Sequence, residues 1–261
     1  MSIRRKEPLV ANKDYRRISI FIHGWWGAGK SWLSASAPAP RLVLDTEGGF
    51  HDTEGKHIMW NPTDPVPQDL DKETSVIVDV NEWGVIEDVM NILRSGDHPF
   101  ESVIIDSVHE LQDQLKRVVA NPEGVYDPNA VFQHQAWGRL KNNMGLLFRE
   151  LRDLTRTTSP KRVNVVLVCG TDDELVPHKP LLEGGSRKVV TGFYDVVGYL
   201  RTAQDQKQQE VRVLQITPTP TAVAKCRLHS LQVEHGTEII NPDIRKMLSV
   251  VNKKESNANA K

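Results

Sequence analysis

Residues 18–31 read Ile-Ser-Ile-Phe-Ile-His-Gly-Trp-Trp-Gly-Ala-Gly-Lys-Ser. Ile18 to Ile22 is a short, apolar, β-branched run of the kind that forms a buried parallel strand, and Pro38 ends the short helix expected from Lys30. Between strand and helix the chain must curl tightly enough to aim successive N–H groups at phosphate oxygens, and Gly24, Gly27 and Gly29 supply that freedom. Lys30 then reaches β- and γ-phosphates, and the Ser31 hydroxyl is set to ligate magnesium between them. The stretch therefore predicts a site for ATP and Mg2+ built from Gly24, Trp25, Trp26, Gly27, Ala28, Gly29, Lys30, Ser31 and Trp32. Trp25 and Trp26 have two uses open to them: stacking on a base or partner, or packing against neighbouring loops.

Two further apolar runs end in carboxylates. Leu42-Val43-Leu44-Asp45-Thr46-Glu47-Gly48-Gly49 puts acidic residues at the end of the strand after the P-loop helix, where ligands collect in open α/β sheets. Glu47 can face the γ-phosphate and orient the attacking water; Asp45 is its rival, and both could instead cap a turn before Gly48-Gly49. Val103-Ile104-Ile105-Asp106-Ser107 is expected to form a strand beside the P-loop, with Asp106 holding magnesium through water.

Further strands are expected at Ser75–Val80, Asn164–Cys169, Gly192–Leu200, Val211–Ile216 and Thr221–Leu228, and helices at 82–94, from Val108 and at 136–155. Residues 61–67, 121–134 and 171–191 read as loops, the last flexible. Strands alternating with helices imply an α/β fold, a mainly parallel sheet with helices on both faces.

The length of 261 residues suits one domain with tails. A basic arm at residues 1–17 (Arg4, Arg5, Lys6, Lys13, Arg16, Arg17) precedes a core at 18–250 and a polar, disordered tail at 251–261. With 33 Lys+Arg against 34 Asp+Glu, no chain-wide field attracts polyanions, so any nucleic-acid surface must be local. Cys169 and Cys226 lack metal or redox spacing and read as small buried hydrophobes. No 18-residue apolar stretch occurs and no secretory signal follows the first residues, which predicts a cytoplasmic protein without a membrane partner.

The P-loop, Asp45-Thr46-Glu47, Ile104-Ile105-Asp106-Ser107, the strand Val165–Cys169, Phe193-Tyr194-Asp195-Val196-Val197 and Ala224-Lys225-Cys226-Arg227 together resemble the RecA-like ATPases. The compact phage single-strand annealing and recombination ATPases are the nearest likeness. The resemblance runs from Ile18 to Leu228 and implies a RecA-like P-loop NTPase core with Glu47 as the catalytic glutamate. It implies an oligomer, ring or filament, with ATP at the subunit interface, and single-stranded DNA and a phage single-strand-binding protein as partners. A DNA-binding loop falls at Asp172 to Thr191, where Lys179, Arg187 and Lys188 would meet phosphates. Lys225 and Arg227, on one face of a strand, would reach the neighbouring subunit's ATP. The γ-phosphate-sensing glutamine of RecA has no counterpart, since Gly170 or Thr171 stands there. Two alternatives are an annealing protein with a structural nucleotide site and an AAA-type helicase loader. The loader calls for a helical lid where this chain shows strand signals.

Overall fold

The computed structural model describes residues 16–120, 134–172, 174 and 176–258. The chain order is β1 (Ser19–Gly24), α1 (Lys30–Ala35), β2 (Arg41–Asp45), β3 (Lys56–Met59), β4 (Thr74–Asp79), α2 (Trp83–Ser95), β5 (Ser102–Asp106), α3 (Val108–Ala120) and α4 (His134–Asp153). It continues with β6 (Asn164–Cys169), β7 (Thr171–Asp172), β8 (Lys179–Pro180), α5 (Ser186–Phe193), β9 (Val196–Gln204), β10 (Glu210–Gln215), β11 (Lys225–Cys226), α6 (His229–His235), β12 (Glu238–Ile240) and α7 (Ile244–Ala258).

Ten strands form one sheet in the order β12-β10-β9-β1-β6-β5-β2-β4-β3, with β11 beside β9. Seven neighbours from β9 to β3 run parallel; β10, β11 and β12 pair antiparallel. The central strands are buried on both faces, which is why β1, β2, β5 and β6 read as unbroken apolar runs rather than alternating ones. Phe21, Leu42, Leu44, Val103 and Ile105 point into a core shared with α2, α3, α4 and α5. Ile20, Ile22, Val43 and Ile104 point the other way, into a core shared with α1, α6 and α7. The expected α/β architecture with helices on both faces is the one observed.

Several local expectations change. β6 lies between β1 and β5, yet Asp106 at the end of β5 still stands beside the P-loop, as expected. Residues 171–191 are not a structureless loop. They hold the β7–β8 hairpin and most of α5, whose Val190 is buried against the core. The strand expected from Gly192 starts only at Val196, after α5 ends in extended Tyr194. The strand expected at 221–228 shrinks to Lys225–Cys226. β3, α6 and β12 are short and were unforeseen; α7, whose buried Ile244, Met247, Leu248 and Val251 recur at helical spacing, was missed as well and continues to Ala258 through the tail expected to be disordered. The basic-arm residues before Arg16 and residues 121–133 of the loop expected at 121–134 lie outside the described residues, and His134 opens α4. No helix among the described residues is long and apolar enough to cross a membrane.

Candidate nucleotide site

Four strands deliver their carboxyl ends to one cleft. The register aligns Asp45 with Asp106 and Asp106 with Val168, and His23 with Cys169, so the loops after β1, β2, β5 and β6 start at one level. A cleft of about 310 Å3 is lined there by Gly29, Lys30, Ser31, Glu47, Asp106 and Arg212, with Trp26 and Trp32 at its walls. A larger cavity, near Asp79 and Asn81, is walled by Asp79, Glu82, Glu87 and Asp88 and repels a polyphosphate.

Two glycines of the loop are required. Gly29 sits at a left-handed φ of 86°, and a Cβ there would meet Arg212 Nε at 2.4 Å. A Cβ on Gly24 would lie 2.3 Å from the Leu200 carbonyl oxygen on β9. Lys30 Nζ donates to Trp25 O at 2.8 Å, and burial lowers its pKa against the pull of Asp106 and Glu47. The buried Asp106 carboxylate accepts the Ser31 hydroxyl hydrogen bond, yet burial above all raises its pKa to about 6. Hydroxyl and buried carboxylate side by side form a hard oxygen pair that suits Mg2+, whose charge would relieve the cost of burying Asp106.

Asp45 and Glu47 have separate tasks. Asp45 Oδ1 accepts the amides of Glu47 and Gly48, and Oδ2 accepts the amide of Phe50, so the buried Asp45 folds the turn. Glu47 is exposed to the cleft. Its Oε1 accepts the Ser107 hydroxyl and lies 3.4 Å from His109 Nε2. His109 Nδ1 in turn accepts the Gly170 amide at 3.3 Å, linking the glutamate to the end of β6.

The two loop tryptophans diverge. Trp25 Nε1 donates to Tyr199 Oη at 2.9 Å and packs edge-on to His178, whereas Trp26 is 67% exposed. Ala28 is buried under the loop, and Trp32 lies beneath the Arg212 guanidinium at 6.0 Å. Arg212, Ser107 and His109 are cleft residues that the sequence reading missed. Ser107 and His109 follow Asp106 directly and could have been read from it; Arg212 lies on antiparallel β10 and carries no local signal.

The remaining expected residues lie elsewhere. Lys179 is half-buried in β8; Lys188 is exposed on α5; Arg187 pairs with Asp172 at 2.9 Å and donates to Leu182 O. Lys225 Nζ donates to Thr191 O, and Arg227 donates to Gly192 O and Phe193 O, so both cap the carbonyl end of α5. Burial, aided by Arg227, lowers Lys225 to about 8. β11 pairs with the first residues of β9, so this pair sits at the amino ends of the parallel strands, away from its own P-loop. Burial pushes the Cys169 thiol up to about 12, that of an inert core residue; Cys226 is half-buried.

A family model described as AAA domain matches residues 16–228. The chain belongs to this AAA family. Its P-loop, buried Asp106 and α/β core are those of a nucleotide-binding ATPase of the P-loop superfamily. The matched stretch nearly coincides with the RecA-like resemblance from Ile18 to Leu228 and bears out its P-loop ATPase core, without reaching the phage annealing group. No curated protein matches this AAA domain.

Proposed function

We propose that this AAA domain binds ATP with magnesium, hydrolyses it, and acts on single-stranded DNA in phage recombination or replication, as an annealing or recombinase ATPase. The observation that carries the hydrolytic part is the exposed Glu47 carboxylate held by Ser107 and His109 in the same cleft as Lys30 and Asp106. Glu47 would hold and orient the attacking water and take up its proton, while Lys30 neutralises developing phosphoryl charge. Ser31 and Asp106 would hold magnesium, which would supply added positive charge beside the phosphates.

The RecA-like reading is supported by the strands that follow Cys169 and by a glutamate at the end of β2. The AAA-type loader reading is favoured by the family match. Against it, α6 and α7 join the core under the sheet instead of forming a separate lid. Steady-state phosphate release with and without oligo-dT tests the proposal. Turnover that rises with the oligonucleotide is expected. ATP binding without turnover favours the annealing protein with a structural site, and turnover indifferent to DNA favours a loader that answers to a protein partner. Assembly into a ring or filament is part of the proposal, with Lys225 and Arg227 serving the neighbouring subunit's ATP, since they stand a strand's length from their own.

A further inference from the structure

The sheet has a second cleft at its opposite end. About 390 Å3 in volume, it is walled by Arg16, Arg17, Arg152, Arg156, Arg162 and Arg227. Its floor contains Ser19, the first residue of β1, and Asp195, which precedes β9. β1 ends at the P-loop, so the two clefts are separated by its six residues, roughly 17 Å at ~3.3 Å per residue.

Among the described residues, Glu101, Asp153 and Asp195 accompany the six guanidinium groups. Glu101 pairs with Arg17 at 2.5 Å; Asp153 pairs with Arg152 at 2.7 Å and Arg156 at 3.2 Å; Asp195 lies 3.9 Å from Arg16 and accepts the Ser19 amide and hydroxyl. The cleft gathers six guanidinium groups in a chain whose net charge is -1. Two of these arginines are held in place: Arg152 stacks on Phe193 at 5.0 Å, and Arg227 is fixed by the α5 carbonyls. Thr157 and Thr158 add hydroxyls along one wall.

From this geometry we infer that the arginine cleft is a binding site for the phosphodiester backbone of single-stranded nucleic acid. Arginines from two separate segments, 16–17 and 152–162, span more than one phosphate, and each guanidinium has five donors to share among its neighbours. A concave basic groove follows a single backbone, whereas a duplex is read by an element that protrudes into its grooves. The site deepens the single-stranded DNA reading and rests on it. It also moves the contact away from the α5 region, where Arg187 is already paired with Asp172.

The test is fluorescence anisotropy of a dye-labelled oligo-dT with the full chain, titrated at several salt concentrations. The variants are Arg156→Gln/Arg162→Gln and, separately, Lys179→Gln/Lys188→Gln, with affinity for a fluorescent ATP analogue reporting an intact fold. The cleft variant should lose about tenfold in oligo-dT affinity and about 1.4 in the salt slope, at ~0.7 per phosphate, with ATP affinity unchanged. The α5-region variant should lose little. Equal binding and slope in the cleft variant, or a loss confined to the α5-region variant, overturns the site while leaving the DNA reading standing. A wild-type chain that ignores oligo-dT overturns both. Duplex competing as well as oligo-dT through the same arginines overturns the single-strand assignment.

Discussion

The two ends of the sheet are built in opposite ways. The carboxyl end takes most of its nucleotide cleft from contiguous stretches, 24–32, 45–47 and 106–109. Its chemistry depends on close approach, with loop glycines, a buried carboxylate and a half-buried ammonium. The amino end gathers arginines from widely spaced segments around a shallow wall and depends on accumulated charge. Removing one group should therefore ruin the first end and only weaken the second.

The largest expected effect is at Lys30. Lys30→Ala leaves the phosphate charge without its fixed counter-ion, and calorimetry should show ATP affinity falling roughly a hundredfold or more. Oligo-dT binding at the opposite end should survive. In a mixture with Lys225→Ala/Arg227→Ala, activity should return, because some interfaces pair an intact P-loop with intact arginine and lysine. No recovery on mixing, or wild-type turnover in the double variant alone, would return Lys225 and Arg227 to the capping of α5.

Glu47→Gln comes next: at least about tenfold lower turnover with ATP binding kept, since a positioned base contributes about 10²- to 10⁴-fold. Asp45→Asn should behave differently, weakening the turn that three amides build on its carboxylate and costing about 1–3 kcal/mol in denaturant unfolding. A variant pair in which Asp45→Asn slows turnover at full stability, and Glu47→Gln does not, reverses the two roles.

The contrast between the ends also explains what could be read from the sequence. β1, β2, β4, β5 and β6 appear within a residue or two of expectation because strands buried on both faces must be apolar throughout. The P-loop is legible because its geometry tolerates few residue types. α5 was illegible: Val189, Val190 and Thr191 favour a strand locally, and the helix exists because Val190 docks into the core beside α4. The arginine cleft was illegible for another reason. Arg152, Arg156 and Arg162 look like ordinary surface charges until the fold brings Arg16, Arg17 and Arg227 beside them.

A smaller, pH-dependent effect follows from Asp106. Its carboxyl titrates near 6 in the folded chain, above its ordinary 3.8. The folded state therefore holds this proton more tightly than the unfolded one, a contribution fully present below about pH 4 and lost as pH rises through 6. At pH 8 the ionised, buried group should cost on the order of 2–3 kcal/mol. Asp106→Asn should accordingly be more stable than wild type in urea at pH 8 without nucleotide or metal, the advantage vanishing at pH 4. Equal stability of the two proteins at pH 8 would mean that Asp106 is not destabilised by its burial.

The smallest effect concerns Arg212, the cleft residue that reaches the P-loop from an antiparallel strand. Its guanidinium lies over Trp32 and against Gly29, and among the described residues no carboxylate pairs with it. An exposed arginine so placed can serve a nucleotide in two ways: as a cation beside the phosphates, or as a strut that keeps Trp32 and the loop in position. A charge contact acts on bound nucleotide whether or not it reacts, so Arg212→Ala should weaken ATP affinity about three- to fivefold and leave turnover at saturation unchanged. Arg212→Lys keeps the charge and loses most of the planar stacking. Affinity recovered in Arg212→Lys identifies the cation, and affinity lost equally in both variants identifies the strut. Gly29→Ala sharpens the distinction, because its Cβ collides with Arg212 Nε while its left-handed φ is strained in any background. Removing Arg212 should relieve the collision and not the strain. Gly29→Ala should therefore cost less stability in the Arg212→Ala background than in wild type, and strictly additive losses would show that Arg212 does not rest on the loop.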